Sequence, residues 1–249
     1  MSPCIQEVTV VMAIRRFAYR HGAEVLGCVE CKNESVGANR TSKVAVFLHG
    51  GGTADKDRAI PLMEDFVAAG YRAGALDFTG HGESAGDLKT QSLQSRFGQA
   101  KGFIDAFTED DDELLLVGFS MSGQTVADLL TCYSSRVTAI GLCAPAVYAC
   151  EAWEAEFGLG FTSIIRKKGS WRSSRALHAF GDFRGRAVLA RPDLDTVIPP
   201  EVTSHIREAL ARRSSFRELV FDQAGHQLGK WFAGSPPSRL MFVEALSTG

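Results

Sequence analysis

The chain has 249 residues, 45% of them hydrophobic and 22% charged, with a formal net charge of −2. This is ordinary globular composition, and one core of that size needs neither disulfides nor metal to hold it together. The slight acidic excess argues against nucleic acid as the main partner, which would want a basic surplus. No apolar run reaches the roughly 18–20 residues of a membrane span.

The N-terminal stretch places its basic pair, Arg15–Arg16, after its apolar residues. A secretory signal has the reverse order, so a cytoplasmic protein is expected, with Met12 as an alternative start. Val8–Ile14, Phe17–Arg20 and Val25–Glu30 have strand composition, and His21–Gly22 turns a hairpin between the last two. Cys28 and Cys31 form a C-x-x-C, but residues three apart in a strand point to opposite faces. That spacing is poor for a dithiol or a zinc site, and all six cysteines (Cys4, Cys28, Cys31, Cys132, Cys143 and Cys150) read as free thiols.

Lys32–Ser42 is polar and reads as a loop. Val44–Leu48 is a buried strand running into His49–Gly50–Gly51–Gly52. A helix over Arg58–Ala69 stops at Gly70, Tyr71–Leu76 is the next strand, and Asp77–Ser84 is rich in turn residues. Ser92–Phe107 carries Leu93, Phe97, Ala100, Phe103, Ile104 and Phe107 on one helical face. Leu114–Val117 is a continuous apolar strand, followed by Gly118, Ser120, Ser122, Gly123 and a helix over Gln124–Cys132.

Val137–Leu142 and Arg186–Ala190 are further strands, and Glu201–Arg213 is a helix. Glu218–Phe221 is the last strand and Ser238–Leu246 a closing helix. From Val44 onward strands and helices alternate. The expected fold is therefore α/β, a mostly parallel sheet with helices on both faces and an antiparallel N-terminal edge. One domain over 1–249 is expected. The aromatic and basic segment at about 147–183 interrupts the alternation and reads as a small cap.

A serine on a sharp turn between a buried strand and a helix is a nucleophile elbow. Ser120 occupies that place. The tight packing there calls for small neighbours, here Gly118, Ser122 and Gly123, although Ser122 stands where a glycine completes the G-x-S-x-G pattern. A serine needs a base, commonly histidine with an ordinary pKa of about 6.5, and a carboxylate to orient it. In an open parallel sheet these groups gather after the strands. His226 follows the final strand, and Asp195 follows Arg186–Ala190, with Asp193 as its rival. Val197, Ile198 and Pro199 favour Asp195, because they can bury beside it.

The oxyanion donors expected are the amides of Met121 and Gly51, with Gly52 as alternative. The substrate pocket is expected from Gly52 and the cap aromatics Trp153, Phe157, Phe161 and Trp171. His49 and His81 read as structural hydrogen-bonding residues. No histidine and carboxylate cluster has metal-ligand spacing, so neither metal nor cofactor is expected.

Together these residues resemble the α/β-hydrolase superfamily, in its bacterial serine esterase, lipase and peptidase-like branch. The resemblance runs from about Val44 to the C-terminus. It rests on His49–Gly52, Asp77-x-x-Gly80-His81-Gly82-x-Ser84, Gly118-x-Ser120-x-Ser122-Gly123, Asp195-x-x-x-Pro199 and Gly225–His226. It implies a Ser120, Asp195 and His226 triad acting on a small ester or acyl substrate through an acyl-enzyme. A thioesterase, acyltransferase or small peptidase shares that mechanism, and a non-catalytic binding protein is the alternative of another class. Two departures stand out. Thr79 replaces the usual arginine, which changes local packing, and Ser122 replaces a glycine, which crowds the elbow slightly.

Overall fold

The computed structural model describes residues 11–34 and 42–248. Eight strands form one sheet: β1 (Met12–His21), β2 (Glu24–Asn33), β3 (Lys43–Leu48), β4 (Arg72–Leu76), β5 (Glu113–Phe119), β6 (Val137–Cys143), β7 (Arg186–Leu194) and β8 (Ser215–Gly225). Their spatial order is β1-β2-β4-β3-β5-β6-β7-β8. β2 pairs antiparallel with β1 and β4, and every other pairing is parallel. The apolar runs explain the centre: Val44, Val46, Leu48 and Leu114–Val117 are fully buried, because both faces of the sheet are covered.

The helices are α1 (Ile60–Ala68), α2 (Leu93–Phe107), α3 (Ser122–Tyr133), α4 (Phe161–Ile165), α5 (Ala176–Asp182), α6 (Pro200–Leu210), α7 (Leu228–Gly234) and α8 (Pro236–Ser247). Phe103 of α2, Val126 of α3, Phe180 of α5 and Ile206 of α6 bury one sheet face. Phe66 of α1, Phe232 of α7 and Phe242 of α8 bury the other. Among the described residues no helix is long and apolar enough to cross a membrane.

The order of the strands reverses at β3, with β4 added on one side and β5 on the other. Such a reversal opens a crevice at the carboxyl ends of the two diverging strands. Here those ends carry His49–Gly52 after β3 and Ser120 after β5.

Several local expectations are corrected. Val8–Ile14 and Phe17–Arg20 are not two strands: from Met12 onward they are one, and residues 8–10 lie outside the described residues. The intervening arginines stay in the strand because each finds a carboxylate, Arg15 at Glu30 (2.9 Å) and Arg16 at Asp57 (2.7 Å). His21 is the last residue of β1, opposite Glu24, so the turn is Gly22–Ala23, with Gly22 at φ 59°. Of the polar 32–42 stretch, Lys32 and Asn33 belong to β2, and residues 35–41 lie outside the described residues.

Cys28 and Cys31 face opposite sides of the sheet, and both are buried free thiols, as Cys143 is; Cys132 and Cys150 are free as well. Cys4 lies outside the described residues. The 147–183 segment divides. Phe180 of α5 belongs to the main core, whereas Ala152 and Phe161 form a small cluster with Leu93, joined by Met121, Tyr148, Trp153 and Phe157.

Candidate active site

Ser120 sits between β5 and α3 at φ 48°. A left-handed backbone at a non-glycine residue costs about 1–3 kcal/mol and persists only where its surroundings over-determine it. Three hydrogen bonds do so: its amide donates to Cys143 O (2.9 Å), and its carbonyl accepts from Ala146 and Gly123 (both 2.9 Å). The glycines follow from close approach. A Cβ on Gly118 would lie 2.6 Å from Ser122 O, and one on Gly123 would lie 2.7 Å from Pro145 Cβ.

His226 lies just past β8. Its Nε2 is 2.9 Å from Ser120 Oγ, and its Nδ1 is 3.1 Å from Asp195 Oδ2. The carboxylate can only accept, so Nδ1–H donates to Asp195 and Nε2 is left to accept from the Ser120 hydroxyl. Asp195 Oδ1 accepts from the amides of Val197 (2.8 Å) and Ile198 (3.1 Å). Asp195 is therefore the residue that meets His226, while Asp193 is exposed at the end of β7. The reason differs from the packing expected: Val197 is 59% exposed, and two backbone amides, not apolar burial, hold the carboxylate.

The glycine turn lies alongside. Gly50 approaches so closely that its Cβ would be 3.2 Å from Ser120 Cβ, and a Cβ on Gly51 would be 3.3 Å from Met121 Cε. The two residues expected to donate to an oxyanion, Met121 and Gly51, are thus neighbours. A cavity of about 380 Å³ opens beside Ser120 and His226. Phe47, Phe119, Leu228, the glycine turn, Arg58 and Lys230 line it.

Gly52 lines this cavity; Trp153, Phe157, Phe161 and Trp171 do not. The aromatics are occupied with other rings: Trp153 with Phe97 (centroids 5.7 Å apart), Phe157 with Phe161 (4.8 Å), and Trp171 with His205 (4.6 Å).

Both departures from the family pattern have structural partners. Thr79 exchanges two bonds with Gln99 of α2, its amide donating to Oε1 (3.1 Å) and its Oγ1 accepting from Nε2 (3.0 Å). Ser122 does not crowd the elbow. It is fully buried, and its hydroxyl donates to His49 O (2.6 Å) while accepting from Arg96 Nη2 (2.9 Å). Sequence reasoning passed over Arg96, although its spacing from Leu93, Ala100 and Phe103 puts it on the buried stripe of α2. Asp77 is also fully buried, held by Lys56 Nζ (2.8 Å) and the amides of Lys56 (2.7 Å) and Glu83 (2.9 Å). Among the described residues no group of three His, Cys, Asp or Glu is placed to hold a metal ion.

A mostly parallel eight-stranded sheet with a strained serine at its reversal point defines an α/β-hydrolase. The chain belongs to the family described as serine aminopeptidase, S33, whose model matches residues 39–179. Solved structures agree in fold. A predicted CIB-like hydrolase from Thermoplasma acidophilum is 19% identical, with 94% of this chain and 97% of that chain covered at a TM-score of 0.65. An esterase of Pyrococcus furiosus is 17% identical, with 95% and 93% covered, also at 0.65. A protein of Butyrivibrio proteoclasticus with ferulic acid bound is 12% identical, with 89% and 99% covered at 0.67. No curated protein matches the chain.

Proposed function

We propose that this hydrolase cleaves a carboxylic ester through an acyl-enzyme, with Ser120 as nucleophile, His226 as base and Asp195 as the acid that orients it. One observation carries the reading: the unbroken relay from Ser120 Oγ through both ring nitrogens of His226 to Asp195 Oδ2, at 2.9 and 3.1 Å, at the mouth of a cavity. His226 takes the serine proton as Oγ attacks the carbonyl carbon, and the alcohol leaves with that proton. Water, activated by the same ring, then releases the acid. The amides of Met121 and Gly51 receive the charge that develops on the carbonyl oxygen.

The cavity's apolar walls, Phe47, Phe119 and Leu228, suit an acyl or aromatic group of modest size. The aromatic part of the 147–183 segment serves as a cap over the neighbouring side of the elbow, where its cluster reaches Met121. A peptide bond is the second reading, favoured by the description of the family.

Labelling with a fluorophosphonate, followed by peptide mapping, tests the proposal. One adduct on Ser120 is expected, and Ser120→Ala should lower kcat on an aryl ester by about 10⁴–10⁶-fold with the fold intact. Near-normal turnover by that variant would remove the assignment. A matched panel of esters, thioesters and peptide amides separates the two readings.

A further inference from the structure

Arg96 is 1% exposed, yet among the described residues no carboxylate pairs with it. Its Nη2 donates to His49 O (2.6 Å) and Ser122 Oγ (2.9 Å), and its guanidinium lies 3.7 Å from the centre of the Phe78 ring. Nε and Nη1 have no hydrogen-bond partner there. Burial lowers its pKa to about 9, so the side chain is still charged at neutral pH. An interior cation without a counter-ion destabilises a fold, which raises the question of what this one does.

Its position supplies the answer. The His49 carbonyl, which opens the glycine turn, is held by both Arg96 and the Ser122 hydroxyl. The next carbonyl, Gly50 O, accepts from His49 Nδ1 (2.6 Å), while His49 Nε2 accepts from the Phe78 amide (3.0 Å). These partners fix one neutral tautomer. Burial, then Arg96 and His81, keep the His49 pKa well below its ordinary value. The peptides are trans, so each N–H points opposite the carbonyl of its own unit. With both carbonyls drawn inward, the Gly50 and Gly51 amides turn outward, where these glycines line the cavity beside Ser120.

We infer that Arg96 is a positioning residue. Through Ser122 and the His49 carbonyl it holds the His49–Gly52 turn with its amides presented to the cavity. Its unpaired cation stands behind that turn as a fixed charge favouring the oxyanion. The kinetic part of this inference rests on the serine-hydrolase reading, and the structural part does not. A preorganised charge in a dry site needs no reorganisation when negative charge develops. The inference also accounts for Ser122, because a glycine there could neither donate to His49 nor accept from Arg96.

The test compares wild type with Arg96→Met, Arg96→Lys and Ser122→Ala. Four quantities are read: thermal stability, hydrogen exchange over residues 49–54, kcat and KM on an aryl ester, and inhibition by an alkyl boronic acid, which forms a tetrahedral adduct. For Arg96→Met we expect undiminished thermal stability and exchange over 49–54 faster by about tenfold. Its kcat should fall about 10–100-fold at nearly constant KM, with boronate affinity falling in parallel. Arg96→Lys, which keeps the charge without the fork, should recover part of kcat. Ser122→Ala should show a smaller loss in the same direction, and it decides the matter alone if Arg96→Met does not fold. Unchanged exchange with unchanged kcat overturns the inference. So does a kcat loss that only tracks the folded fraction. If wild type takes no fluorophosphonate and cleaves no ester, the hydrolase reading fails, and exchange over 49–54 still shows whether Arg96 holds the turn.

Discussion

Asp193 and Asp195 stand two residues apart after the same strand, and their environments separate them completely. Asp195 accepts two backbone amides through Oδ1 and faces His226 through Oδ2, whereas Asp193 is exposed. Asp195→Asn should therefore lower kcat by about 10⁴-fold, because an amide there favours the wrong tautomer of His226. Asp193→Asn should leave kcat within about twofold, because its exposed carboxylate is not the one that meets His226. Steady-state kinetics on one ester checks both, and the reverse ranking would make Asp193 the acid. At this scale the sequence was most legible where a residue's place depends on its neighbours in the chain. Ser120 follows the apolar strand β5 with glycines at 118 and 123, and His226 follows the end of β8 directly after Gly225. It was least legible where tertiary packing decides. Trp153, Phe157, Phe161 and Trp171 are a plausible pocket by composition, and nothing local reveals that they pack on other rings instead.

Single strands and helices show a similar division. The elbow was readable because close approach leaves a signature of small residues. Gly118→Ala should cost about 1–3 kcal/mol of stability through overpacking, since its Cβ would lie 2.6 Å from Ser122 O and 2.7 Å from Val126 Cγ2. Denaturant unfolding measures that cost, and a loss of fluorophosphonate labelling should accompany it as Ser120 is displaced. A stable, fully labelled variant would contradict the packing argument. α7 escaped sequence reading because Leu228–Gly234 is short and contains Gly229 and Gly234, which weaken any helical pattern. The arginines of β1 interrupt its apolar pattern, and their partners Glu30 and Asp57 lie 15 and 41 residues away in the chain. The buried stripe of α2 also holds Arg96 and Gln99, whose polarity hides them in an apolar pattern although each is 1% exposed.

Across the molecule, alternating strands and helices gave the parallel sheet, because apolar strands buried on both faces admit few other arrangements. Stability at this scale carries an identifiable weak point on α3. Asp128 Oδ1 accepts from Gln124 Nε2 (2.9 Å), but its Oδ2 is buried without a partner among the described residues. Burial raises its pKa to about 7, against the opposing effects of the Gln124 bond and Arg175. The unfolded chain releases this proton near pH 4 and the native one near 7, so stability declines as pH rises through that interval. Asp128→Asn should raise Tm at pH 8 by about 2–4 °C. The gain should shrink as pH falls from 7 towards 4, where the native carboxyl takes up its proton. Calorimetry at several pH values checks the trend, and a gain that does not vary with pH would point to another cause.

The relay joins parts of the chain that leave the ribosome at very different times. Ser120 and His226 are 106 positions apart, and His226 hangs from the last strand of the sheet. If His226 is the base proposed above, a nascent chain can complete β5 and its serine while still lacking that base. On the mechanism proposed above, reactivity begins only when β8 has docked against β7 and brought His226 to Ser120. On that same reading, a chain cut before β8 would keep Ser120 and the elbow and lose the ring that takes its proton.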